Sequence, residues 1–168
     1  MRAGWILPIT VLLPFSVALL VPLVGRGVGR RLGTLLALVP AAVLLLHLSF
    51  LGGEPVRWAI PWVPEIGLSL AFRIDALSSA FVLLIATVAI AVFPYSGGYL
   101  GGDRRFFATL LAFMGAMLGI VLADDLTLLF VFWELTSVTS FLLIAHGRRT
   151  MCTICQYPAQ RRGSLAER

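Results

Sequence analysis

The chain has 168 residues, of which 60% are hydrophobic and only 12% charged, and its mean hydropathy is +0.99. A soluble domain carries about twice that charged fraction, so the composition excludes an ordinary water-soluble enzyme and points to the membrane. The net charge of +5 does not argue for nucleic acid. The basic residues, all of them arginine, stand in short clusters between apolar runs rather than on one face interleaved with aromatics.

Residues 5–24 are the first predicted span, close to the roughly 20 apolar residues that a bilayer-crossing helix needs. Arg2 ahead of this run resembles the start of a signal peptide. The run is too long for a typical signal core, however, no A-x-A-like cleavage site follows, and another apolar segment comes at once. A retained helix is expected, with Pro8, Pro14 and Pro22 tolerated as membrane helices allow. Residues 25–31 form a glycine-rich basic linker carrying Arg26, Arg30 and Arg31. Residues 32–51 are the second span, with a kink expected at Pro40 and His47 expected at the interface.

Residues 52–75 change character. Leu68, Leu70, Phe72 and Ile74 alternate with smaller or polar residues, the period-2 signature of a strand. A short hairpin on the membrane surface is predicted, with Trp58 and Trp62 suited to the interface. Asp75 is placed as the N-cap of the third span, residues 76–93. Residues 94–105 hold Pro94 and several glycines and are read as a loop, with Tyr95 and Tyr99 suited to a headgroup belt. Residues 106–123 are the fourth span. Gly115 and Gly119 form a G-x-x-x-G pair, a spacing that lets helices approach closely. Asp124 and Asp125 then lie where a helix N-terminus favours negative charge, so capping is expected of both, with cation gathering as the other reading.

The fifth span, about residues 126–145, holds the residue of greatest interest. Glu134 falls near its middle, where an ionisable group costs roughly 3 kcal/mol or more unless it is paired, hydrated or neutralised. A carboxylate at that depth reads as an ion or proton site; the alternative is a hydrogen bond to a neighbouring helix and nothing else. Thr127, Thr136, Ser137, Thr139 and Ser140 surround it, Ser137 on the same side. Burial raises a carboxyl pKa and a nearby cation lowers it, so a glutamate between those influences can load and release a proton. No lysine and no second mid-membrane acid supplies the next station, so the chain reads as part of a larger machine.

With five spans, Arg26, Arg30, Arg31, Arg104, Arg105, Arg148 and Arg149 fall on one side and only Arg2, Arg57 and Arg73 on the other. The positive-inside rule then predicts an outside N-terminus and a cytoplasmic C-terminus in a cell (inner) membrane. Cys152 and Cys155 give one C-x-x-C pair with nothing to complete a zinc site and no βαβ context for redox work. No Gly-Lys-Ser/Thr phosphate loop is present, so no metal, cofactor or nucleotide site is expected.

Four runs carry a family resemblance: Phe72-Arg73-Ile74-Asp75-Ala76-Leu77-Ser78, Tyr95-Ser96-Gly97-Gly98-Tyr99-Leu100, Phe113-Met114-Gly115-Ala116-Met117-Leu118-Gly119, and Leu129-Phe130-Val131-Phe132-Trp133-Glu134-Leu135-Thr136-Ser137. Over residues 1–147 they resemble the N-terminal part of the A subunit of the multisubunit Mrp-type sodium/proton antiporter. That family shares a superfamily with the antiporter-like chains of complex I, whose chain 5 usually has Trp-Glu-Gly after this helix and is the runner-up. The resemblance implies that Glu134 is the proton-relay glutamate, working with lysines on later helices. It implies as partners other antiporter subunits, protons and sodium, alongside the lipid bilayer and no nucleic acid. The expected architecture is an all-α membrane protein of about five helices with a hairpin-like surface loop. Its parts are residues 1–51 (two helices), 52–147 (hairpin and helices three to five) and 148–168, a basic tail that departs from the family pattern. That departure predicts a truncated or frame-shifted product.

Overall fold

The computed structural model describes residues 5–23, 31–48, 55–63, 68–100 and 103–166, with side chains for all of these except residues 62, 63, 68, 99, 100 and 147–166. Most of the linker and the start of the hairpin segment lie outside the described residues, as do the side chains of Trp62, Tyr99, Cys152 and Cys155. Among the described residues, five segments are long and apolar enough to cross a membrane: Ile6–Leu23, Arg31–Leu48, Ala76–Gly98, Arg104–Leu122 and Leu126–His146.

The first crossing is helix α1 (Ile6–Leu20), closed by a 3-10 turn at Val21–Leu23 that accommodates Pro22. The second is divided into α2 (Arg31–Leu36) and α3 (Leu38–Leu48). The break at Ala37 agrees with the expected proline kink: Pro40 has no N–H to give to the carbonyl of Leu36, and its ring crowds that carbonyl. Strands β1 (Val56–Val63) and β2 (Leu68–Ile74) follow as an antiparallel pair, with Trp58 opposite Phe72 and Arg57 opposite Arg73. Then come α4 (Ala76–Leu100), α5 (Arg104–Leu122) and α6 (Leu126–Ala166).

Helix α5 is the hub, packed against α1, α4 and α6, while α2 and α3 lie on α4. Its packed positions include Phe107, Leu111, Met114, Gly115, Leu118 and Gly119. Lipid tails are as apolar as leucine, so this packing is driven by close contact rather than by removal from water. The expected G-x-x-x-G role is visible here. Gly115 receives the edge of the Phe15 ring from α1, and Gly119 receives the ring of Phe132 from α6.

One expectation about the crossings needs correction. The third crossing does not stop at residue 93, because α4 continues through Pro94, Tyr95 and Gly97 to Leu100. Proline and glycine punctuate soluble helices, but here they serve packing. Gly33 of α2 sits directly against the backbone of α4, where any side chain would strike the Phe93 carbonyl oxygen and lie 3.0 Å from Gly97 Cα. His47 stands one residue from the end of the second crossing. It is fully buried, with Nδ1 3.1 Å from the Val43 carbonyl oxygen one turn earlier.

Candidate functional site

The α6 helix begins at a connection of two acids, and the two have different roles. Asp125 is the cap, its carboxylate accepting the Thr127 N–H at 2.8 Å. Asp124 instead pairs with Arg57 of the hairpin, and its backbone N–H donates to the Ala71 carbonyl at 2.9 Å. Phe72 and Ala123 form a β-bridge beside it. The hairpin therefore gains a short third edge supplied by the α5–α6 connection.

From Leu126 the helix climbs about 12 Å to Glu134, some two-fifths of the way along the 21-residue crossing Leu126–His146. The face turned to α5 holds Leu128, Phe132 and Thr139, of which Leu128 and Thr139 are buried. Glu134 lies on the other side. It shares an exposed stripe with Phe130, Ser137 and Phe141, residues that recur at helical spacing along one face. Among the described residues, Glu134 makes no hydrogen bond or ion pair.

The hydroxyls around it turn back to their own helix. Thr136 donates to the Trp133 carbonyl at 2.6 Å, Ser137 to the same oxygen at 3.3 Å, and Thr139 to Leu135 at 2.8 Å. With no polar neighbour in reach, a helical hydroxyl takes the preceding turn's carbonyl as acceptor. Each still keeps oxygen lone pairs free to accept a bond from another helix or from water.

Above the crossing, Asp75 opens α4 as expected. Its carboxylate accepts the Ser78 N–H at 2.9 Å and the Ser78 hydroxyl at 3.0 Å, while that hydroxyl oxygen accepts the Asp75 N–H at 2.8 Å. This is a capping box with serine in the reciprocal position. The Ser78 backbone bond, then its side-chain bond, with Arg73 adding a smaller pull, hold the Asp75 carboxyl below the usual aspartate range. Arg73, Asp75, Ser78 and Asp124 line an open cleft of about 350 Å³.

At the opposite end of the bundle, Asp103 caps α5 through the Arg105 N–H at 3.0 Å. It also pairs with His146 Nε2 at 2.9 Å, and Arg104 donates to the Pro22 carbonyl at 3.2 Å. No group of three or more histidine, cysteine or acidic side chains converges among the described residues. Sequence reasoning singled out Glu134, Ser137 and the acids. It missed Arg57 and Phe132, whose importance lies in contacts with distant segments. The only available signal was an isolated arginine beside Trp58 in a strand.

A mostly helical bundle with five membrane-spanning segments and a small antiparallel pair defines a multi-pass membrane protein. Residues 58–107 match the family described as NADH-ubiquinone oxidoreductase (complex I), chain 5 N-terminus. The chain is 39% identical over 164 residues to the A1 subunit of the Na+/H+ antiporter of Staphylococcus haemolyticus (strain JCSC1435), and 38% identical to the same-named protein of Staphylococcus aureus. Each match takes in 93% of this chain and 20% of the relative. Its fold matches a chain in the Mrp complex from Dietzia sp. DQ12-45-1b with a TM-score of 0.72 and 33% identity, over 82% of this chain and 16% of that one. A chain of the membrane-bound sulfane sulfur reductase, an archaeal respiratory membrane complex, shares the fold with a TM-score of 0.70 at 22% identity, over 80% of this chain and 22% of that one.

The chain therefore resembles, in sequence and in fold, the N-terminal region of the A subunit of the Mrp-type Na+/H+ antiporter. It spans about a fifth of the length of the curated relatives it matches.

Proposed function

We propose that this chain forms the N-terminal part of a monovalent cation/proton antiporter subunit, with Glu134 as a proton relay near mid-membrane. The observation that carries the reading is the uncovered stripe of α6, which holds a carboxylate with no partner among the described residues, partway along a helix long and apolar enough to cross a membrane. Facing lipid, that group would cost roughly 3 kcal/mol or more. The stripe therefore belongs against protein or water supplied by other helices, and the chain is incomplete as a pathway by itself. A cation brought near Glu134 favours its charged form, and withdrawal of that cation into a low-dielectric site favours proton uptake. Alternation between the two states moves a proton.

The exchanged ions, sodium and protons, come to this chain from the names of its relatives, as do partner subunits in a hetero-oligomer within the cell membrane. The arginine distribution favours an outside N-terminus. A second reading, a proton-pumping arm of a redox complex, is favoured by the family matched over residues 58–107. A third, an inserted fragment that transports nothing, is separated by experiment. Glu134→Gln in the full assembly, assayed as sodium-driven proton movement in everted vesicles, is expected to abolish exchange with normal insertion; undiminished exchange would remove the relay. The chain expressed alone in a salt-sensitive, antiporter-deficient host is expected to give no rescue.

A further inference from the structure

Arg57 and Arg73 stand directly opposite one another across the hairpin, and like charges in that position destabilise a strand pair. Each is answered by an acid at the start of a helix. Arg57 pairs with Asp124, just before α6, and Arg73 pulls on Asp75, the cap of α4. The hairpin thus straddles two helix N-termini. A line of aromatic contacts runs inward from it. Trp5 meets Trp58 at 5.5 Å between ring centroids, Trp58 meets Phe72 at 6.0 Å, and Phe72 meets Phe132 at 6.3 Å. Phe132 also stacks near Phe15 of α1 at 6.5 Å and covers Gly119 of α5.

We infer that the hairpin is a clamp setting the depth and rotation of α6, with Arg57 and Phe132 as positioning residues for Glu134. Three attachments act, two at the connection before α6 and one nearly two turns into it. The Phe72–Ala123 bridge and the Asp124 N–H bond fix where the helix begins. The Arg57–Asp124 pair holds the connection just before its first turn from the side. Phe132, seated over a position where only hydrogen fits, fixes its azimuth. Glu134 is two residues beyond Phe132, about 200° around the helix, so seating the ring on α5 directs the carboxylate away from it. The mechanistic consequence rests on the relay reading given above; the clamp itself does not.

The test is a spin-label scan of α6 positions from 127 to 142 in the full antiporter assembly, with Cys152 and Cys155 replaced by serine and the phase of oxygen accessibility as the readout. Phe132→Ala is expected to turn that phase by about 30° or more, against the 100° between neighbouring residues, and to shift the pH profile of exchange. Phe132→Tyr is expected to restore both. Arg57→Ala, at an exposed side chain, is expected to lower order in the first turn, with recovery in the Arg57→Asp, Asp124→Arg double exchange. This second variant decides the matter if Phe132→Ala fails to reach the membrane. An unchanged phase with Phe132→Ala, or unchanged first-turn order with Arg57→Ala, overturns the clamp. A shifted phase in an assembly whose Glu134→Gln form still exchanges ions supports the clamp and sinks only the relay.

Discussion

Four glycines offer a graded test of the packing, because replacing each by alanine changes helix propensity in the same favourable sense. In a helix interior that gain is about 0.5–1 kcal/mol. What differs is the space that meets the new methyl group. At Gly98 nothing lies within 4 Å, so the propensity gain stands alone and Gly98→Ala is expected to be neutral or slightly stabilising. At Gly115 the methyl meets the outer edge of the Phe15 ring, with Cε2 at 2.9 Å. A small ring movement relieves that contact, and the change is expected to fall near zero. At Gly119 it would meet Cγ as well as the outer carbons of Phe132. Tipping the ring cannot clear its own root, so α6 must shift, at an overpacking cost of about 1–3 kcal/mol. At Gly33 the obstacle is the Phe93 carbonyl oxygen, with Gly97 Cα at 3.0 Å and Phe107 Cζ at 3.1 Å behind it. Backbone on a packed helix cannot give way, so the loss should reach or exceed the upper end of that range. Denaturant titration of the four variants in detergent micelles, followed by tryptophan fluorescence, gives the order. Gly33→Ala matching Gly98→Ala in stability would refute the close approach of α2 to α4 and the extension of α4 past Pro94.

Other outcomes follow from the charged ends and from the site. Glu134→Asp keeps the charge but shortens the reach, so exchange in everted vesicles should fall by about ten-fold or more if a displacement of 1 Å matters as it does in other positioned sites. Asp75 has its folded pKa depressed, so its contribution is full above the ordinary aspartate value of about 3.9 and is lost as pH falls through the lower folded value. Ser78→Ala removes a side-chain bond to that carboxylate, so the start of α4 should open at a higher pH in acid titration followed by amide exchange. Asp103→Asn keeps a competent cap while weakening the His146 pair, which is partly exposed. A stability loss below about 1 kcal/mol is expected, and a loss several times larger would assign the pair a greater structural role.

Much of this architecture was legible because two periodicities are hard to hide. Twenty apolar residues announce a crossing, and the alternation in Leu68–Ile74 announces a strand; that Trp58 stands opposite Phe72 came only with the register of the pair. The end of α4 was misread for a physical reason. Pro94, Gly97 and Gly98 carry the chemistry of a turn in water, but in a tightly packed bundle a glycine equally supplies room for a neighbour, and Gly33 uses that room. The azimuth of Glu134 was also beyond the sequence. Phe130, Val131, Phe132, Trp133 and Leu135 surround the helix with apolar surface, so no stripe distinguishes the side that meets α5 from the side that does not. The glycine at position 119, a full helix away, makes that choice by admitting Phe132.

That choice has a consequence for what must cover α6. The exposed side chains of the other crossings are largely hydrocarbon, among them Leu12 and Leu19 of α1, Leu45 of α3, and Leu84 and Val88 of α4, and the exposed hydroxyls of Ser16 and Thr87 are satisfied by carbonyls of their own helix, so these faces can meet lipid at little cost. The α6 stripe is different, because Phe130 and Phe141 bracket Glu134 and Ser137. A purely apolar helix docked there would bury the two phenylalanines well but leave the carboxylate unpaired, an arrangement that costs several kcal/mol or forces the group neutral. A covering surface must therefore be mixed: apolar opposite the two rings, and cationic or water-bearing opposite the acid. Such a surface allows the glutamate to change charge without the helix leaving its place. The relay reading requires that property, and a glutamate held by a single permanent hydrogen bond would lack it.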